Sequence, residues 1–131
     1  MSDDPTALRD RFGRRIEYLR LSVTDRCDLR CGYCMPRGFR DFVHPSRWLS
    51  FDEIERLVSL LARMGVSRVR LTGGEPLLRR DLPDLAARLS AVRGIADLSL
   101  STNGTTLARH GAALRRAGIS RLNVSLDSLD R

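Results

Sequence analysis

Three cysteines lie close together in one short segment, and they are the only cysteines of the chain. Cys27, Cys31 and Cys34 follow the spacing CxxxCxxC. Cysteine thiolates are soft ligands that both iron–sulfur clusters and zinc ions accept. A cubane cluster or a tetrahedral zinc site takes four ligands, whereas this segment offers three. The spacing therefore predicts one metal centre with a coordination position open to another group.

Two other interpretations of the cysteines carry less weight. A structural zinc site would take His44 as its fourth ligand, but zinc modules usually pair CxxC with a second close pair. A disulfide framework is typical of secreted proteins with an even number of cysteines, whereas this chain has three and starts with an acidic, polar segment. We therefore expect reduced thiols in a cytoplasmic protein.

Composition narrows the remaining classes of function. The chain has 131 residues, a formal net charge of +7 and no lysine, which excludes Schiff-base chemistry on lysine. An aromatic content of 5% argues against an extended stacking platform for single-stranded nucleic acid. The arginines are scattered, as on a solvated basic surface, and no apolar run approaches the length of a membrane span. Nucleic acid and membranes are therefore not expected as partners.

The pattern of apolar residues predicts a repeated strand and helix unit. Residues 1–16 are expected to form a polar N-terminal arm and residues 17–131 the barrel domain. Ser50 and Glu53 form a capping-box sequence, and Gly65 is expected to end the same helix. Asp81 is expected to cap the second helix. The predicted elements are strands at 18–23, 66–72, 97–102 and 121–126, and helices at 51–64, from 81 to near 94 and from 107 to 118.

Strands that alternate with helices predict parallel pairing through right-handed crossovers. All four predicted strands alternate apolar with polar residues, although strands covered on both faces usually form continuous apolar runs. One sheet face is therefore expected to be polar and to line a cavity. The predicted fold class is α/β, a partial TIM-type (β/α) barrel of about four parallel strands with alternating helices. The residues predicted to face the cavity are Arg20, Ser22, Arg70, Thr72, Ser99, Ser101, Asn123 and Ser125.

Four loops follow the carboxyl ends of the predicted strands, where barrels and open α/β sheets place their active sites. They are the cysteine loop, Gly73-Gly74-Glu75-Pro76, Asn103-Gly104 and the residues around Asp127. The double glycine fits an ordinary turn as well as a close approach of the backbone to a ligand.

Two arginines are predicted to face the cavity. Arg20 and Arg70 could each pair with an acidic neighbour or bind a triphosphate. The triphosphate is the better fit, because guanidinium groups bind phosphate bidentately.

These motifs resemble those of a known family. The cysteine loop with Tyr33 before its last cysteine, followed by Gly73-Gly74-Glu75-Pro76, resembles the radical S-adenosylmethionine superfamily. Within it, the chain resembles the GTP 3′,8-cyclase family of molybdenum-cofactor biosynthesis from about residue 12 onward. Asp28 stands where that family commonly has asparagine. The segments that carry the resemblance are 12–14, 19–27, 33–36, 71–77, 101–104 and 123–127.

The resemblance implies ligands for the predicted site, although it assigns no catalytic residue. A [4Fe-4S] cluster would bind S-adenosylmethionine through its fourth iron and release a 5′-deoxyadenosyl radical that takes hydrogen from C3′ of GTP. The product would be (8S)-3′,8-cyclo-7,8-dihydroguanosine 5′-triphosphate. A reductant for the cluster and a downstream pterin-forming enzyme would be partners, and a homodimer stays open. The residues implied as cluster ligands are Cys27, Cys31 and Cys34. Those implied to contact S-adenosylmethionine are Tyr33, Gly74 and Ser125. Those implied to contact GTP are Arg20, Arg70 and Ser101.

Members of this family are well over twice as long and carry a second three-cysteine cluster in their C-terminal region. The chain is therefore expected to be an N-terminal fragment or a truncated gene product that binds the first cluster but does not complete the cyclisation alone. Its fourth strand would form an open sheet edge. Two alternatives stay open: a radical S-adenosylmethionine enzyme with another substrate, such as a peptide, and a non-enzymatic zinc or nucleic-acid-binding module.

Overall fold

The computed structural model describes residues 4–31, 33–35 and 37–129. The predicted strands and helices are all present in this part of the chain, with strand ends that differ by up to two residues, and the second helix ends at Ser90 rather than near residue 94. No helix among the described residues has the length and apolar character needed to cross a membrane. The elements are β1 (Tyr18–Ser22), α1 (Phe51–Arg63), β2 (Arg68–Thr72), α2 (Leu82–Ser90), β3 (Asp97–Thr102), α3 (Leu107–Ala117) and β4 (Arg121–Val124), with short 3-10 turns at Pro45–Arg47 and Pro76–Leu78.

The strands form one parallel sheet in the order β1, β2, β3, β4. Arg20 lies beside Arg70, Arg70 beside Ser99, and Ser99 beside Arg121. Since neighbouring residues of a parallel register share a face, these polar side chains stand together on one side of the sheet. The strands thus form an open parallel sheet that alternates with helices along the chain, which confirms the predicted partial (β/α) barrel.

The helices cover the opposite, apolar face of the sheet. Leu71 of β2 and Leu100 of β3 are fully buried, and α1 adds Ile54 and Val58 to the same core. The apolar residues of β4 are much more exposed, with Val124 at 54%. Within the described residues β4 is an edge strand, as the sequence predicts.

The first helix has the predicted ends. The backbone N–H of Glu53 donates to the Ser50 hydroxyl at 3.2 Å, and the N–H of Ser50 donates to the Glu53 carboxylate at 2.7 Å. These bonds hold the pKa of Glu53 below its usual value. Gly65 follows the last turn with a left-handed φ of 102°. The capping box and the glycine end are therefore confirmed.

The second helix starts differently from the prediction. Asp81 occupies the capping position, but its side chain makes no capping bond, and its backbone is left-handed with φ 58°. Pro83 has no N–H to offer, and the N–H of Asp84 donates to the Asp81 carbonyl instead. The expected side-chain cap at Asp81 was therefore wrong.

Candidate functional site

The polar face of the sheet carries a cavity of about 320 Å³. Arg20, Arg70 and Ser99, three of the residues predicted to face a cavity, lie in its lining. Ser101 lies further along β3, beside Asn123 of β4, and is half-buried. The remaining lining residues are Tyr18, Arg68, Asp97 and Arg121.

The charge in this cavity is predominantly positive. Arg121 forms an ion pair with Asp97, which holds the pKa of that carboxyl below its usual value. The Nε–H of Arg70 donates to the Ser99 hydroxyl at 3.4 Å. Among the described residues, no salt bridge pairs Arg20, Arg68 or Arg70 with a carboxylate. These three guanidinium groups are therefore available to an anionic ligand.

The cysteine loop begins where β1 ends and packs directly on the double glycine after β2. The N–H of Gly74 donates to the Thr24 carbonyl at 2.8 Å, and the N–H of Glu75 donates to the Arg26 carbonyl at 2.7 Å. A Cβ atom on Gly74 would lie 2.1 Å from the Arg26 oxygen, and one on Gly73 would lie 2.6 Å from the Thr24 oxygen. The missing side chains thus let the cysteine loop approach β2. The contact of Gly74 with S-adenosylmethionine stays a prediction.

Glu75 is a buried carboxylate to which sequence analysis gave no role. Its side chain is 2% exposed. The Thr102 hydroxyl donates to it at 2.6 Å, and the backbone N–H of Asn103 donates to it at 2.7 Å. Glu75 therefore joins the carboxyl ends of β2 and β3. The sequence did contain a signal for this role, because an acidic residue directly follows the double glycine at the end of a buried strand.

Asp28 ties the cysteine loop to the segment that follows β3. The Asn103 side-chain amide donates to one Asp28 oxygen at 2.7 Å, and the Thr105 hydroxyl donates to the other at 2.5 Å. Burial raises the pKa of Asp28, but these hydrogen bonds outweigh it and lower that pKa overall. Asp28, which stands where the family commonly has asparagine, thus has two hydrogen-bond partners in the segment that follows β3.

The cysteine loop also contacts the residues that follow β4. The Tyr33 hydroxyl donates to the Asp127 carboxylate at 3.1 Å, and the Cys31 thiol lies 3.9 Å from the same carboxylate. These groups, with Asp127 first, raise the pKa of Tyr33 to about 12. The N–H of Ser125 donates to the Thr102 carbonyl at 2.9 Å. All four loops therefore meet at one rim of the sheet, as predicted.

The three cysteines are free thiols, of which Cys34 is exposed and the other two are half-buried. The N–H of Cys34 donates to the Cys31 carbonyl at 3.0 Å, so a tight turn brings these two residues together. No group of three or more His, Cys, Asp or Glu side chains in the described ranges is arranged around a possible metal ion. Three free thiols on one loop suit a cluster chemically. Their assignment as cluster ligands stays a prediction.

His44, the candidate fourth ligand of the zinc alternative, caps the 3-10 turn at Pro45–Arg47. Its Nδ1 lies 2.8 Å from the Ser46 hydroxyl and accepts the N–H of Ser46 at 3.2 Å. The structure therefore gives this side chain a local structural role.

Comparison with known families defines the class of protein. Residues 21–131 match the model of the Radical SAM superfamily. The chain therefore belongs to the radical S-adenosylmethionine superfamily, which implies a [4Fe-4S] cluster and S-adenosylmethionine as its cofactors.

Several relatives share the name GTP 3′,8-cyclase. The one from Rhodopirellula baltica is 57% identical over 128 residues, which cover 97% of this chain and 36% of that relative. The one from Xanthomonas axonopodis pv. citri is 56% identical over 94% of this chain and 38% of its own length. One from Staphylococcus aureus is 50% identical over 94% of this chain and 37% of its own length. The chain thus spans little more than a third of these relatives.

Solved structures confirm the fold. BtrN in complex with AdoMet and 2-DOIA aligns with a TM-score of 0.65 at 21% identity, over 88% of this chain and 47% of that chain. SeMet BtrN in an open conformation aligns with a TM-score of 0.65 at 21% identity, over 87% of this chain and 51% of that chain. At this identity the likeness concerns the fold alone, and it agrees with a partial TIM-type barrel.

Proposed function

We propose that this chain provides the first cluster site and part of the substrate site of a GTP 3′,8-cyclase. One observation carries the proposal: three arginines that form no salt bridge within the described part of the chain line a cavity on the polar sheet face of a chain 50–57% identical to relatives of that name. A triphosphate is the part of GTP that such a cavity suits, because guanidinium groups bind phosphate oxygens bidentately.

The rim of the sheet supports the cofactor side of the proposal. When bound, the cluster would supply the electron needed for radical chemistry on S-adenosylmethionine. Three hydrogen bonds connect the cysteine loop to the segments that follow β2, β3 and β4, and they involve the Glu75 N–H, the Asp28 carboxylate and the Tyr33 hydroxyl. The residues proposed to hold the cluster are Cys27, Cys31 and Cys34, and those proposed to contact S-adenosylmethionine are Tyr33, Gly74 and Ser125.

The substrate residues lie on the strands. Arg20 and Arg70 are neighbours in the parallel register, so their guanidinium groups can bind adjacent phosphates. Ser101 lies closer to the carboxyl end of β3 and would bind a part of GTP nearer to the rim. The phosphates would then be held away from the rim while the ribose and base lie closer to the radical source.

Two further partners would act with this enzyme. A cellular reductant would supply electrons to the cluster in the cytoplasm. A downstream pterin-forming enzyme would take the cyclised nucleotide. A homodimer stays a prediction that sedimentation can test.

The test is anaerobic. Reconstituted protein receives S-adenosylmethionine, dithionite and GTP, and the release of 5′-deoxyadenosine and the affinity for GTP are measured. Arg20→Ala and Arg70→Ala are each expected to lower the affinity for GTP about tenfold. Arg80→Ala is the matched control, because the Arg80 side chain is 95% exposed outside the cavity. GTP affinities that do not change in the two cavity variants would contradict the proposal and favour another substrate, such as a peptide.

Metal analysis separates the non-enzymatic alternative. That module predicts bound zinc together with DNA binding that weakens steeply with salt. The proposed enzyme predicts iron and sulfide.

A further inference from the structure

Tyr18 contacts two of the cavity arginines at once. It lies at the start of β1, beside Arg68 of β2 in the parallel register. The guanidinium carbon of Arg68 is 5.7 Å from the centre of the Tyr18 ring, and that of Arg70 is 5.6 Å from it. Both distances fall within the range of about 6 Å over which an aromatic ring attracts a cation. One ring therefore restrains two side chains that share a strand and a sheet face.

The alternative way to restrain an arginine is visible in the same cavity. Arg121 is held by Asp97, and this ion pair cancels its charge. An aromatic ring acts differently, because it contacts the flat face of the guanidinium group and leaves the N–H donors at the edge free. Arg68 and Arg70 thus keep their charge, and Arg70 keeps the donors other than the Nε–H that it directs to the Ser99 hydroxyl.

Restraint matters here because arginine side chains have many rotamers, and like charges on one face repel each other. A free arginine loses rotamer freedom when it binds a phosphate, which weakens binding. A guanidinium group already held on a ring loses less.

We propose that Tyr18 is a positioning residue that orients Arg68 and Arg70 toward the phosphate chain of a nucleoside triphosphate. This inference rests on the proposed function, because the nucleotide is the GTP of that proposal. The contact to phosphate is made by the arginines, and the aromatic ring rather than the hydroxyl of Tyr18 is the part required.

The test compares two substitutions at Tyr18. Tyr18→Leu removes the ring and is expected to weaken the binding of GTP and of inorganic tripolyphosphate about five- to tenfold, measured by calorimetry. Tyr18→Phe keeps the ring and is expected to stay within about twofold of the wild type.

A matched control exists in the N-terminal arm. The guanidinium carbons of Arg11 and Arg14 lie 4.7 and 5.5 Å from the centre of the Phe12 ring, outside the cavity. Phe12→Leu removes a similar contact and should leave both affinities unchanged. Melting temperatures of all variants show whether each is folded.

The outcomes separate this inference from the proposed function. The role of the ring would be overturned if Tyr18→Leu bound tripolyphosphate as tightly as the wild type. It would also be overturned if Tyr18→Phe lost as much affinity as Tyr18→Leu. Failure of the wild type to bind tripolyphosphate would overturn it as well. Binding of tripolyphosphate that depends on the ring, in protein that takes up no iron and releases no 5′-deoxyadenosine, would support the inference while contradicting the proposed function.

Discussion

At the scale of single residues, Gly74 has the least room for a side chain. We expect Gly74→Ala to lower the free energy of unfolding by about 2 kcal/mol, because the new Cβ would lie 2.1 Å from the Arg26 oxygen and push the cysteine loop away. Gly111→Ala is the control, since its Cβ would have no neighbour within 4 Å inside α3, and it should stabilise by about 0.5–1 kcal/mol. Equal effects in urea unfolding would contradict this account of the double glycine.

Glu75 is the residue on which the rim depends most. Glu75→Gln replaces one acceptor oxygen by an amide that faces the Thr102 hydroxyl or the Asn103 N–H, both of which are donors in the present structure. We expect a loss of about 2 kcal/mol in the free energy of unfolding, because a buried donor is left without an acceptor. Glu17→Gln, at an exposed position, is the control and should change the stability by less than about 0.5 kcal/mol. A stable Glu75→Gln protein would show that the carboxylate is dispensable.

At the scale of elements, Arg79 anchors the long loop between β1 and α1. Its guanidinium group donates to the Val23 carbonyl at 2.8 Å and to the Leu49 carbonyl at 2.7 Å. The guanidinium carbon also lies 5.2 Å from the centre of the Trp48 ring and 5.0 Å from that of Phe51. The group therefore connects both ends of the loop to the start of α1.

Arg79→Ala is expected to release this loop and to lower the free energy of unfolding by about 2 kcal/mol. Trp48 is the single tryptophan of the chain, so its fluorescence should shift to longer wavelength as the ring becomes solvated. The neighbouring Arg80→Ala, on a side chain that is 95% exposed, should change neither signal. Identical spectra for both variants would contradict the anchoring role.

The ion pair between β3 and β4 predicts a dependence on pH. Arg121 and, more weakly, the charge of Arg68 hold the pKa of Asp97 below its usual value. The pair therefore stabilises the fold above the unfolded pKa of about 4, and this contribution is lost as the pH falls through the lower, folded pKa. Asp97→Asn should be less stable than the wild type at pH 7, and the difference should shrink at pH 3. A difference that stays constant in urea unfolding would show that charge is not the cause.

The elements were predictable where local chemistry decides the structure. The capping box at Ser50, the left-handed Gly65 and the alternation along β3 are all local in sequence and appear as predicted. The cap at Asp81 failed because Pro83 offers no N–H and the N–H of Asp84 donates to the Asp81 carbonyl instead. The link from Tyr33 to Asp127 joins residues far apart in sequence, so no local pattern indicated it.

At the scale of the whole molecule, one sheet supports two sites. The cysteine loop and its hydrogen bonds to the segments after β2, β3 and β4 lie at the carboxyl ends of the strands, and the arginine cavity lies on the polar face nearer to their amino ends. The apolar face carries the helices and the core. Faces and strand ends were predictable from alternation and motif position, whereas the ion pair that neutralises Arg121 and the ring that holds Arg68 required the three-dimensional register.

The central claim is that the three cysteines hold a cluster that binds S-adenosylmethionine. Its most direct test is anaerobic reconstitution, followed by iron and sulfide analysis and by electron paramagnetic resonance of the reduced protein with and without S-adenosylmethionine. We predict about four irons and four sulfides per chain, a spectrum that shifts when S-adenosylmethionine is added, and no such spectrum in Cys27→Ser. A folded chain that holds no iron, or a spectrum that S-adenosylmethionine leaves unchanged, would contradict the claim.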